Sequence, residues 1–252
     1  MLKKLIDFGY DVRATSHADA ILTHDYSEFL ETLEEILLLF RIRDHELIAG
    51  GGGRTPFTQR LGKSFENVGW SKHNFVVEKV VDGVRKESTS HEVDHVHFAA
   101  DGTIVLEIEW NNKTEFFDRD LENFKRLHAE GVFSAAVLIT RGGSLNRELF
   151  DLVTDYARRR NLSTVQELTT QIEGYDPSRK FVAKLKKSIT PPNGNFIGNE
   201  DAVDTWAKLF LQSKFAASTT HWEKLEQRIQ RGVGNPCPML LLGIPIEAIE
   251  RV

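Results

Sequence analysis

The stretch from residue 74 to residue 110 constrains the fold most, because it reads as strands punctuated by two hairpin dipeptides. Phe75, Val76, Val77, Val80 and Val81 run into Asp82-Gly83, and residues 91–99 and 103–110 flank Asp101-Gly102. Between them, residues 84–90 would return as a polar edge strand. A helix over 121–130 follows, with Leu121, Phe124 and Leu127 on one face and Gly131 at its end. The apolar run at 132–140 then suits a central strand. Strands of this kind bury a face against helices, so the expected class is α/β: a central mixed β-sheet flanked by helices.

Helices fill most of the remainder. Residues 25–43 carry Phe29, Leu30, Leu33, Ile36, Leu37 and Phe40 at three- and four-residue steps, with Asp25 and Glu28 at capping-box spacing. Shorter helices are expected at 56–68, 144–160 (with Ser144 as N-cap), 202–215 and 219–231, and a last strand at 239–244. The chain is expected to be one domain spanning 1–252. Within it, 1–55 forms an N-terminal helical part and 161–201 an irregular excursion, either a recognition arm or a surface loop.

Composition narrows the function. Among 252 residues, 32 Lys and Arg face 37 Asp and Glu, a net charge of −5, so the chain does not coat nucleic acid by bulk charge. Acids that bind a metal would themselves push the balance negative. One cysteine, Cys237, excludes an internal disulfide and a thiolate zinc site, and between two prolines it reads as a buried apolar residue. No apolar run reaches membrane-spanning length, and Asp7, Asp11 and Arg13 break up any secretory core after Met1. A soluble, cytoplasmic protein without a membrane partner is expected.

The chemistry concentrates in residues 91–110. Strand alternation puts Glu107 and Glu109 on one face and Leu106 and Ile108 on the other. A two-residue Asp101-Gly102 turn places Asp94 directly across from Glu109, with Glu107 one diagonal step away. Such neighbours lie about 5 Å and about 7–8 Å apart. Three carboxylates so close repel one another unless a cation joins them, and Mg²⁺ suits a few hard oxygen donors completed by water and phosphate. The alternative is a solvated hairpin with its acids in water. His95 and His97 alternate away from Asp94 and, with His91, read as structural or DNA-proximal. As metal ligands, His95 and His97 would instead define a β-rich, cupin-like metalloprotein.

Asp94 followed by Glu107-Ile108-Glu109 resembles the signature of the PD-(D/E)XK nucleases, with Glu109 where lysine usually stands and Val93 where proline does. The helix from Phe116 to Gly131 and the strand Ala135-Ala136-Val137-Leu138-Ile139 follow in the order of that core. The match is similar to type II restriction endonucleases of the BglII and BamHI group, which also replace the lysine, and it extends from Thr55 to Ile246. The resemblance implies a restriction-endonuclease-like core and a homodimer acting on double-stranded DNA. It also implies Mg²⁺-dependent hydrolysis in a short palindrome, leaving 5′-phosphates. Asp94 and Glu107 would hold the metal with the Ile108 carbonyl, and Glu109 would orient or deprotonate water or bind a second ion. A repair or junction nuclease could share the triplet.

Four further residues are candidates for DNA contact. Arg54 closes the Gly50–Gly53 run, which is either a tether or a loop on DNA. Arg141 and Ser144 bracket a strand-to-helix turn that could present N–H groups to a phosphate. Lys184, with Lys180, Lys186 and Lys187, forms the basic run of a possible phosphate-tracking arm.

Overall fold

The computed structural model describes residues 1–49, 55–189 and 201–252. The N-terminal part holds α1 (Lys3–Phe8), β1 (Asp11–Thr15), α2 (Ala18–His24), α3 (Ser27–Leu39), β2 (Ile42–Arg43) and α4 (Asp44–Ile48). The central block is α5 (Pro56–Asn67), β3 (Ser71–Val81), β4 (Val84–Ala99), β5 (Gly102–Glu109), α6 (Glu115–Ala129), β6 (Ala135–Arg141) and α7 (Gly143–Arg159). Then come α8 (Val165–Thr170), α9 (Arg179–Ile189), α10 (Ala202–Lys214), α11 (Trp222–Gln230), β7 (Met239–Ile244), a 3₁₀ turn and β8 (Ile249–Glu250).

Six strands form one mixed sheet in the order β1-β7-β6-β5-β4-β3. β5, β6 and β7 run parallel, whereas β1, β4 and β3 join antiparallel. Alternation along the parallel strands splits the core. Leu106, Val137, Ile139, Leu240 and Leu242 pack with α1–α5, while Val105, Ala136, Leu138 and Leu241 pack with α6 and α11. Every residue of β6 and β7 is buried, as helices on both faces require. A third cluster joins α7 to α8, α9 and α10 through Tyr156, Leu168, Leu185, Trp206 and Phe210. The architecture is the expected α/β one, and among the described residues no helix is long and apolar enough to cross a membrane.

Several local expectations change. Residues 84–99 form one continuous strand rather than two, so β3 and β4 make a long ribbon closed by Asp82 and Gly83, both at positive φ. The N-terminal part also contributes β1, whose pairing with β7 ties the two ends of the chain into one sheet. Residues 161–201 contain α8 and α9. α3 starts at Ser27 with Tyr26 as N-cap and no side-chain cap, so Asp25 makes no capping box. Gly142, not Ser144, caps α7; the Ser144 hydroxyl accepts the Ile246 N–H instead.

The β4–β5 register is the correction that matters. Ala99 pairs with Gly102 and His95 with Leu106, so Ala100 and Asp101 form the turn and Asp94 lies across from Glu107, not Glu109. Tyr26 explains the shift. Its hydroxyl donates to the Asp101 carbonyl at 3.1 Å and lies 2.7 Å from Ser134 Oγ. A Cβ on Gly102 would collide with both Tyr26 OH and Ser134 Oγ, and its φ of +146° disfavours any side chain. The slip is by an even number of residues, so Glu107 and Glu109 keep their common face, but a bulge in β4 between Val93 and Val96 interrupts the alternation at Asp94, which lines a cleft with Ile108.

Candidate active site

β5 carries Glu107 and Glu109 on its α6-facing side, beyond Val105. Glu107 is 5% exposed, and its Oε1 accepts the Asp94 N–H at 3.4 Å. Burial first, then the charges of Asp120 and Asp94, raise its pKa well above the carboxylate range. Glu109 is also buried; its Oε2 accepts a 2.6 Å hydrogen bond from Asn112, and Arg119 approaches its Oε1 at 3.6 Å. Burial and the charge of Asp120 push Glu109 up to about 8. Asp94 stands at the rim, partly exposed, with Lys72 Nζ 4.0 Å from its carboxylate. Thr140 donates to the Glu109 carbonyl at 2.7 Å, pinning the end of β5 to β6.

Asp120 belongs to the same group and was not among the expected residues. It is fully buried, and its Oδ1 accepts from Arg119 Nε at 2.8 Å while among the described residues Oδ2 lacks a donor, the carboxyl lying beside that of Glu109. A signal was present in the sequence. Phe117, Asp120, Leu121 and Phe124 follow helical spacing, so a carboxylate sits in an otherwise apolar stripe.

The donor set suits a hard divalent cation. Its donors are carboxylate oxygens, two glutamates are buried beside one another, and among the described residues a buried carboxylate oxygen of Asp120 lacks a donor. Among the described residues no three His, Cys, Asp or Glu side chains form a group able to hold a metal unaided. A cation there would therefore complete its shell with water and phosphate oxygens, as Mg²⁺ does when one or two carboxylates anchor it.

On the other side of β5 lies a cleft of about 1480 Å³, wide enough for a large ligand. Asp94, Ile108, Trp110, Asn111 and Asn112 form its floor, facing Arg60 and Lys63 of α5. Tyr175, Phe181 and Lys214, from the segment after α7, complete the lining. The cleft and the acids thus meet at the end of β5, with Asp94 and Asn112 at the junction.

The other expected residues fare differently. Arg141 is buried: its Nε donates to Asn146 Oδ1 at 3.0 Å, Nη1 to Asn111 Oδ1 at 3.1 Å and Nη2 to Thr219 Oγ1 at 3.2 Å. Its face covers Phe215, and burial lowers its pKa to about 9. Arg141 therefore cannot reach DNA; it holds the strand end and Asn111. Arg141→Met should remove three hydrogen bonds from a buried site and cost about 3 kcal/mol or more, read as a lower denaturation midpoint. Ser144 is spent on Ile246. Lys184 is exposed on α9. Arg54 and Gly50–Gly53 lie outside the described residues.

The histidines do not gather. His97 stacks on Trp70, and His95 packs against Phe65. Contrary to the alternation argument, His95 lines the same cleft as Asp94. A six-stranded mixed sheet between helix layers is also not a cupin-like β-barrel. Cys237 is buried, and burial raises its thiol to about 12.

The central six-stranded mixed sheet flanked by helices is that of a restriction-endonuclease-like core. The family model described as restriction endonuclease BglII/BglIII matches residues 10–244, and the chain belongs to that family. It is thus a type II restriction endonuclease, a site-specific deoxyribonuclease whose partner is DNA. Enzymes of this kind generally use divalent metal ions. A comparison with curated proteins returns no match.

Proposed function

We propose that the protein is a Mg²⁺-dependent, cytoplasmic homodimer that hydrolyses one phosphodiester bond per strand of double-stranded DNA within a short palindrome, leaving 5′-phosphates. The observation that carries this reading is that Glu107 and Glu109 share one face at the end of β5 while Asp94, whose N–H donates to Glu107, stands beside them where the cleft opens. Asp94 and Glu107, with the Ile108 carbonyl, would hold the cation. Bound there, it supplies a water of lowered pKa and neutralises charge at the phosphoryl group.

The protein's own groups do the rest. Asn112 holds Glu109 by Oε2, and Oε1, which Arg119 approaches at 3.6 Å, would orient the attacking water or take its proton. Burial keeps bulk water from screening these groups, so each charge acts at low dielectric. Residues 1–252 form one endonuclease domain in this reading, consistent with the β1–β7 pairing of its ends. The segment at 161–201 is its recognition arm, since Tyr175 and Phe181 line the cleft and exposed Lys184 lies on α9. Two copies would match a two-fold DNA site.

A plasmid digest tests it. Mg²⁺ should give discrete bands whose 5′ ends accept a new phosphate only after phosphatase treatment, and chelator should stop cutting. A smear would sink the sequence-specific reading. Cutting that persists in chelator would sink the metal dependence.

A further inference from the structure

Arg119 is built into the acid site from α6. Its guanidinium is gripped along one edge by Asp120 Oδ1, with Nε at 2.8 Å and Nη2 at 2.7 Å. It stacks on Phe116 with its central carbon 4.4 Å from the ring centre, and Nη2 lies 3.6 Å from Glu109. Asp120 is fully buried, whereas the Arg119 side chain is 51% exposed, so a rigid cation projects from an internal anchor to the surface. Among the described residues Nη1 makes no hydrogen bond, which leaves the end of the planar fork open beside the acids. A fork with two usable edges can hold a carboxylate on one and a phosphate on the other.

Charge points to the same occupant. Asp94, Glu107, Glu109 and Asp120 crowd the end of β5, yet the substrate of that site is itself an anion. A phosphate entering there meets repulsion that a cation fixed at the mouth would offset. Lys72 flanks Asp94 from β3, but its ammonium lies 2.6 Å from Glu92 at an exposed position. Arg119, by contrast, is held in a fixed orientation.

We infer that Arg119 is a phosphate-contacting residue, anchored by Asp120, whose open edge binds a backbone phosphate oxygen of DNA and seats it against Asp94 and Glu107. The inference rests on those two acids being the cutting centre. Asp120 is a positioning residue in this arrangement: it acts through Arg119 and does not touch DNA.

The experiment measures duplex binding in chelator across a salt series, together with Mg²⁺-dependent cleavage, for the full chain. Arg119→Gln should lower the slope of log affinity against log salt by about 0.9, one phosphate contact, and reduce cleavage by about 10²-fold. Arg119→Lys should restore most of the slope but little of the cleavage, because a point charge replaces the fork. Arg119→Gln also strands the buried Asp120, so the paired variant Arg119→Gln with Asp120→Asn separates packing from contact. It should regain the thermal midpoint of the unaltered protein and still lack the slope and the cleavage. If the pair regains both, Arg119 merely neutralises Asp120 and the inference is overturned. Unaltered protein that binds DNA and cuts it with Arg119→Gln unimpaired would overturn it too. Unaltered protein that never cuts would instead overturn the assignment of the cutting centre on which it depends.

Discussion

Asp94→Asn and Glu107→Gln should each lower divalent-metal-dependent DNA cleavage by at least about 10³-fold while leaving duplex binding within a few-fold. Both substitutions keep shape and hydrogen-bonding capacity, so the loss would report charge at the metal-facing oxygens. Because the two residues are joined by the Asp94 N–H on Glu107 Oε1 at 3.4 Å, they should behave as a unit. The double variant should then be no worse than either single one. Single-turnover cleavage beside a binding titration checks this, and full activity in either variant would remove these residues from the site.

The second large effect is on stability. Glu109 is pushed up to about 8 and Glu107 also lies well above its ordinary range, chiefly through burial and the neighbouring Asp120 charge. A carboxyl whose folded pKa exceeds its unfolded one binds more protons when folded. Its contribution is therefore intact below the unfolded pKa near 4.5 and is lost as pH rises towards the folded one. The metal-free protein should thus lose stability from about pH 5 to pH 8, where many proteins are steady. Glu109→Gln should raise the thermal midpoint at pH 8, by about 1–3 kcal/mol of stability, and change it little at pH 5. Mg²⁺ should stabilise the unaltered protein more at pH 8 than at pH 5, since binding the folded state then relieves the repulsion. Thermal melts at two pH values with and without the ion decide it; a flat profile would mean the acids are not crowded as described.

What could be read from the chain follows from how local each signal is. The acids were legible because strand alternation has a period of two and needs only neighbours in sequence. The residue across from Asp94 was not, since a hydroxyl 75 residues away, on Tyr26, selects the turn. The β7 strand at 239–244 and the all-buried β6 stood out as apolar runs. β1 did not, because Asp11–Thr15 is a mixed strand whose backbone is recruited by β7. Arg141 looked available at the end of an apolar strand, and only Asn111, Asn146 and Thr219 converging on it made it interior. Asp120 was hidden by its setting in a charged run, Asp118-Arg119-Asp120, until the helix turned it inward.

The turn at Ala100 and Asp101 bears on how such a chain can change length through evolution. One residue added to the β5 arm of the hairpin would send Glu107 and Glu109 to the opposite side of the sheet. Two added together, one on each arm, would only lengthen the ribbon and carry the turn outward. An insertion between the turn and Glu107 should then survive only with a matching residue on β4.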